Sequence, residues 1–188
     1  MLESLIKNRY KNCRKNRVRQ GDILKNISIS LGFSIGDEKN VKQLYFDYNY
    51  GIVVSQDCDL LSDYRERKNP DKKQDKYLPT ILICPVYLWE EFKLGQHFGD
   101  WSMKTYNSSE YKKLIKNDEY KRFHYLAGDE NHSLPELVVD FKHFLTVPRD
   151  TLYKKHKKIY VTSLNELFRE ELSQRFASYL SRIGLPEI

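Results

Sequence analysis

No stretch of this chain approaches the roughly 18 consecutive apolar residues of a membrane-crossing helix, so none is expected. Cysteine is scarce. Cys13, Cys58 and Cys84 are an odd number at unrelated spacings, which gives neither a disulfide framework nor a paired-cysteine zinc site and fits a reducing cytoplasm. The first twenty residues, MLESLIKNRYKNCRKNRVRQ, carry charges where a secretion signal needs an apolar run, so no such signal is expected. Also missing are a glycine-rich phosphate loop, an HExxH helix, zinc-finger spacing and a serine nucleophile elbow, and with them most enzyme classes recognisable by motif.

What is present fits one soluble domain. The chain has 188 residues, 40% hydrophobic and 31% charged, enough for a real core. Its net charge of +6 is compatible with a polyanionic partner. Fourteen tyrosines interleaved with lysines offer surfaces on which unpaired bases can stack, although tyrosine also accompanies Lys/Asn-rich composition without a ligand.

The organisation reads as a basic segment, residues 1–19, followed by a single domain over residues 20–188. In the first, Leu2, Leu5, Ile6 and Tyr10 fall near one helical face, and the cations Lys7, Arg9, Lys11, Arg14, Lys15, Arg17 and Arg19 crowd the rest. Short strands are expected over residues 21–36 and 41–48, then a turn at Asn49-Tyr50-Gly51 into the strand IVVS. The charged stretch over residues 60–79 reads as a surface excursion, and TILICPVYL (80–88), apolar on both faces, as a central strand. A helical insert over about residues 89–120 contains one good helix, which Ser108 or Ser109 can cap. Strands follow at 121–126 and 136–146. In the last helix, 163–183, Ser163 and Glu166 match a capping box and Leu164, Leu167, Phe168, Leu172, Phe176, Leu180 and Ile183 recur at helical spacing. The fold class expected is α+β: a small antiparallel, SH3-like curved sheet or barrel with a C-terminal packing helix.

The order of several pieces resembles one family. Gly21-Asp22-Ile23, the strand Gly51 to Ser55, the apolar strand Ile81 to Pro85, and Leu137 to Val147 followed by a helix are similar to the PemK/MazF-type toxin barrel. The resemblance covers most of residues 20–183 and implies an SH3-like barrel in a family whose toxins bind and cut single-stranded RNA. Those toxins use an arginine before the second strand and a threonine after the proline of the third. The matching stretches here read Asp47-Tyr48-Asn49-Tyr50 and Val86-Tyr87, so the catalytic pair is not carried over. A barrel without those groups implies a binding module or a rebuilt site.

The motif Ser55-Gln56-Asp57-Cys58-Asp59 ends an apolar strand on a thiol between two carboxylates. If strand geometry persists, Asp57 and Asp59 face one way and Cys58 the other. One reading makes Cys58 a nucleophile with His124 as base and Asp140 orienting it, although flanking carboxylates raise a thiol's pKa. A second makes Asp57 and Asp59, with Asp140 or Glu136, a Mg²⁺ site. In a third the carboxylates pair with cations from residues 65–68. The plainest makes Cys58 a small core residue and the aspartates turn formers. His97, His132, His143 and His156 stand at unrelated spacings, and strand parity separates His143 from Asp140. Lys154, Lys155, Lys157 and Lys158 form a cationic cluster, read either as a solvated hairpin tip or as a phosphate contact.

The leading functional expectation is a nucleic-acid-associated binding module, with Arg14, Lys15, Arg17, Arg19 and the lysines at 154–158 contacting a single strand. It needs no cofactor. The alternatives are a metal-dependent or cysteine-dependent nuclease or hydrolase centred on Asp57-Cys58-Asp59, with Mg²⁺ as the cofactor, and a protein-interaction subunit of a larger bacterial stress or defence effector.

Overall fold

A computed structural model describes residues 8–13, 16–33, 42–68, 75–98 and 101–181. The elements in chain order are β1 (Tyr10–Lys11), β2 (Asp22–Phe33), β3 (Lys42–Val53), α1 (Asp57–Glu66), β4 (Thr80–Leu88), α2 (Trp89–Lys93) and α3 (Ser109–Lys116). After these come β5 (Phe123–Leu126), β6 (Leu137–Asp140), β7 (Leu145–Pro148), α4 (Arg149–Ile159), β8 (Tyr160–Leu164) and α5 (Glu166–Leu180). The strands form a curled, half-barrel sheet in the order β1-β8-β2-β3-β4-β6-β5, with β7 also on β4, and every pairing is antiparallel. The fold class is α+β, with a curved antiparallel sheet as its centre.

Strand β4 is central because both of its faces and both of its edges are used. One edge meets β3, and the other meets β7 through Ile83 and then β6 from Val86 onward. Pro85, which has no N–H to give, falls in the gap between those two partners and so costs no ladder bond on that edge. Opposite it stands Gly51, where a Cβ would sit 2.5 Å from the terminal Cδ1 of Ile27 and 3.1 Å from Ile83 Cγ2, so a side chain there would have to displace the Ile27 methyl.

Side-chain alternation sends the sheet's apolar residues to two cores. Ile23, Ile52, Cys84 and Val86 face α5, which contributes Leu172, Phe176 and Tyr179 from one stripe. Leu24, Val53, Ile81 and Ile83 face the other way, onto Leu60 of α1 and Leu152 of α4. A third, aromatic cluster lies under α2 and α3, with Trp89, Phe92, Tyr106, Phe123 and Tyr125 in ring contact.

Several local expectations are corrected. Tyr10 is a strand residue rather than a helical one, and the face expected from Leu2, Leu5 and Ile6 lies outside the described residues, as do Gly36 and Ile183. Asn49-Tyr50-Gly51 is no turn, since β3 runs through it. The 136–146 strand is broken by a 3-10 turn at Phe141–His143. Helix α5 is capped by Asn165, whose Oδ1 accepts from the Glu166 N–H at 2.9 Å. Ser163 instead lies within β8 and donates to buried Asp22 Oδ1 at 2.6 Å. Leu167 and Leu180, expected in the core, are 55% and 53% exposed, because the face turned to the sheet carries Phe168, Leu172, Phe176 and Tyr179.

Candidate functional site

Asp57, Cys58 and Asp59 open helix α1 rather than extending a strand, so their directions do not alternate. Ser55 Oγ accepts from the Leu82 N–H at 2.8 Å and fixes the strand end. Asp57 receives both Arg17 guanidinium nitrogens, at 2.9 and 2.8 Å, and the Gln20 N–H at 3.3 Å, with Arg169 at 3.7 Å. Burial pushes this carboxyl up, but Arg17, Arg169 and the Gln20 N–H outweigh it and hold it below its ordinary range. Asp57 thus clips the 16–20 loop to α1, and its cation comes from Arg17 rather than from residues 65–68.

Cys58 is exposed, with Sγ 3.5 Å from Gln56 Oε1 and 3.6 Å from Asp59 Oδ1. His124 is buried in β5, its Nδ1 3.3 Å from Asp118. Asp140 is fully buried and takes a bidentate Arg122 at 2.8 and 2.6 Å. The three residues of the nucleophile reading therefore each lie against different polar groups: Cys58 against Gln56 and Asp59, His124 against Asp118, and Asp140 against Arg122. Among the described residues, the ionisable group whose atoms lie close enough to share an ion is Asp118, His124 and Glu171, within 4.8 Å of one another, rather than Asp57 with Asp59. Arg175, 3.5 Å from the same Asp118 oxygen, already supplies a cation there.

The basic cluster of residues 154–158 is helical and not a hairpin tip. Leu152 and His156 point inward, and His156 Nε2 lies 2.8 Å from buried Asp22. Lys154, Lys155, Lys157 and Lys158 are all exposed. At about 100° per residue they spread over the outer half of the helix. The other expected cations are placed differently. Arg17 is bound to Asp57, Arg19 Nη1 donates to the Arg17 carbonyl at 3.2 Å, and Arg14 and Lys15 lie outside the described residues.

A second feature was not visible in the sequence. Pairing of β3 with β4 begins at Tyr50↔Val86, and the stretch of β3 before it parts from β4. A cleft of about 150 Å³ opens there. Carboxylates come from Asp47 and Glu91, amides from Asn49 and Gln96, and rings from Tyr48, Tyr87 and His97. Helix α2 ends in the left-handed Gly95 (φ 73°), where a Cβ would lie 2.3 Å from the Met103 carbonyl oxygen. That turn presents Gln96 and His97.

His97 is 8% exposed, and its ring packs on Tyr87 at 4.7 Å and Phe92 at 4.8 Å. Burial, with Arg122 and His143 adding, lowers its pKa to about 4 against the opposing pull of Asp140. Its Nδ1 is buried without a hydrogen-bond partner. His143 Nδ1 lies 3.1 Å from Asp140 Oδ2, because the 3-10 turn overrides the strand parity expected to separate them, and 3.3 Å from Tyr87 Oη. Burial also lowers the His143 pKa, against Asp140. The Tyr48 phenol is pushed up to about 12, by burial and then by Asp140. The floor of the cleft is therefore made of uncharged rings at neutral pH.

The sequence matches no protein-family model and no curated protein. No helix among the described residues is long and apolar enough to cross a membrane.

Proposed function

We propose that this protein is a nucleic-acid-associated binding module that holds single strands by electrostatic contact along α4. The observation that carries the reading is the exposed lysine face of that helix, anchored by Leu152 and His156. Net charge of +6 and the resemblance of the sequence order to an RNA-cutting barrel family support it. A hydrolytic centre at Asp57-Cys58-Asp59, with or without Mg²⁺, has less support, since Asp57 is held by Arg17. A cytoplasmic setting accords with three cysteines of which none is paired among the described residues.

The test is binding of a labelled single-stranded RNA between 50 and 200 mM salt. Four phosphate contacts give a logarithmic salt slope of about −2.8 and a loss of about 50-fold over that range. Reversing Lys154, Lys155, Lys157 and Lys158 to Glu is expected to abolish binding at 50 mM. Salt-independent binding, or a variant that binds as well as the parent, overturns the reading. One observation favours a second reading. Trp101 is 70% exposed in the 89–120 insert, and tryptophan is enriched among the residues that anchor protein interfaces, so a stable complex on co-purification without RNA binding would select it.

A further inference from the structure

The cleft beside His97 has the wrong charge for the phosphates that the lysine face is proposed to hold. Asp47 and Glu91 make its charge negative, and no Lys or Arg is among the described residues that line it, so a phosphate is repelled there. A shared metal ion is a poor fit as well, since Asp47 and Glu91 are not in the ionisable group close enough to hold one. The space, about 150 Å³, is below the roughly 300–1,000 Å³ of a drug-sized site and matches a single ring system. Its walls are aromatic, and both of its charged groups are acceptors, the carboxylates of Asp47 and Glu91, while the amides of Asn49 and Gln96 can donate or accept. Neither Asp47 nor Glu91 is in a salt bridge among the described residues.

From this we infer that the cleft takes one unstacked nucleobase, and that the base is guanine. Guanine presents N1–H and N2–H₂ side by side, the pair of donors that a carboxylate accepts together, and its O6 accepts from an amide. Uracil and cytosine offer fewer adjacent donors, and adenine offers one amino group flanked by acceptors. Single-stranded recognition commonly combines such a stack with a read Watson–Crick edge. The inference rests on the nucleic-acid reading above and adds base preference to it: lysines hold the backbone while the cleft selects a base. The wall residues Tyr48 and Tyr87 stand in the stretches where the resembled toxins keep other, catalytic groups, so this use of the cleft belongs to this chain's own residues.

Two arms separate the inference from the reading it rests on. In the first, saturation-transfer NMR of the unmodified chain with guanosine, adenosine, cytidine or uridine tests the cleft without needing the lysine face. Guanosine is expected to give the strongest transfer, lost in Asp47→Asn and Glu91→Gln, which keep side-chain size and remove charge. In the second, a uridine 12-mer is compared with the same strand carrying one central guanosine. The guanosine is expected to raise affinity about tenfold, and either variant should reduce the gain to within about twofold. The uridine strand's affinity and salt slope should stay as they were. Equal transfer from all four nucleosides, preference for another base, or a guanosine preference untouched by both variants overturns the inference. Salt-sensitive strand binding without base preference overturns it alone and leaves the binding module standing. Guanosine-selective transfer without strand binding overturns the module and keeps the cleft as a nucleoside site.

Discussion

Replacing His97 with Phe should remove a specific acid sensitivity of the fold. The native imidazole titrates at about 4, against about 6.5 in an unfolded chain. Between those values the unfolded state binds a proton that the native state refuses, so stability falls as pH drops from about 6.5 and levels off near 4. At about 1.4 kcal/mol per pH unit the full effect is about 3 kcal/mol. The ring borders an open cleft, and solvent screening brings the expected loss to about 1–2 kcal/mol. Phenylalanine keeps the ring contacts with Tyr87 and Phe92 and cannot titrate. Urea unfolding of both proteins at pH 7.5 and 4.5 gives the difference, in which the titrations of groups remote from His97 cancel. The parent should lose about 1–2 kcal/mol more than the variant on acidification. Parallel losses would show that His97 is solvated and protonates normally, and would refute the buried, neutral imidazole.

Two further outcomes follow from groups away from the cleft. Asp63 is fully buried and accepts from Arg67 at 2.6 Å, the Leu78 N–H at 2.9 Å and Arg149 at 2.7 Å. Its removal in Asp63→Ala takes the acceptor from Arg67 Nε, Arg149 Nε and the Leu78 N–H, leaving Arg67 with the Leu78 carbonyl and Arg149 with Asp150, at a cost of about 3–5 kcal/mol in chemical denaturation, and a loss below about 1 kcal/mol would refute the network's role. Cys58 is exposed while burial pushes the Cys84 thiol well above its ordinary value. A thiol-disulfide reagent should therefore label Cys58 in the native protein and Cys84 only after unfolding, and early labelling of Cys84 would contradict the packing of β4.

Where each element's own residues carried a repeating pattern, the sequence was readable. Strand β4 shows apolar residues on both faces, and α3 begins at a serine that does cap it, Ser108 Oγ accepting from the Tyr111 N–H at 3.2 Å. Helix α4 was obscured because its inward side, Leu152 and His156 with Tyr153 and Ile159 at its margins, is set among lysines. Helix α1 was obscured too, since Asp57 and Asp59 suit a turn as well as a helix's first turn, where the macrodipole favours them. The cleft was hidden for a different reason. His97 owes its environment to Tyr87 of β4, Phe92 of α2 and the Gly95 turn, and its neighbour His143 reaches Asp140 only through the 3-10 turn. No periodicity encodes such a meeting of three segments. Of the expected nucleic-acid contacts, the lysines at 154–158 stand exposed, whereas Arg17 is tied up by an aspartate whose partner no spacing rule identified.

Strand β1 lies on β8, with Tyr10 opposite Leu164, and β8 in turn separates β1 from β2. Thr162 Oγ1 donates to the Lys11 carbonyl across 151 residues of chain. A ribosome must therefore release almost the whole of this stretch before its opening strand has anything to pair with, and β2 waits for the same neighbour. Closing so long a loop is entropically expensive, and such non-local pairing slows folding. The consequence is a nascent chain whose sheet edge at β2 stays open until β8 has emerged, which makes synthesis, rather than the finished protein, the stage most exposed to aggregation.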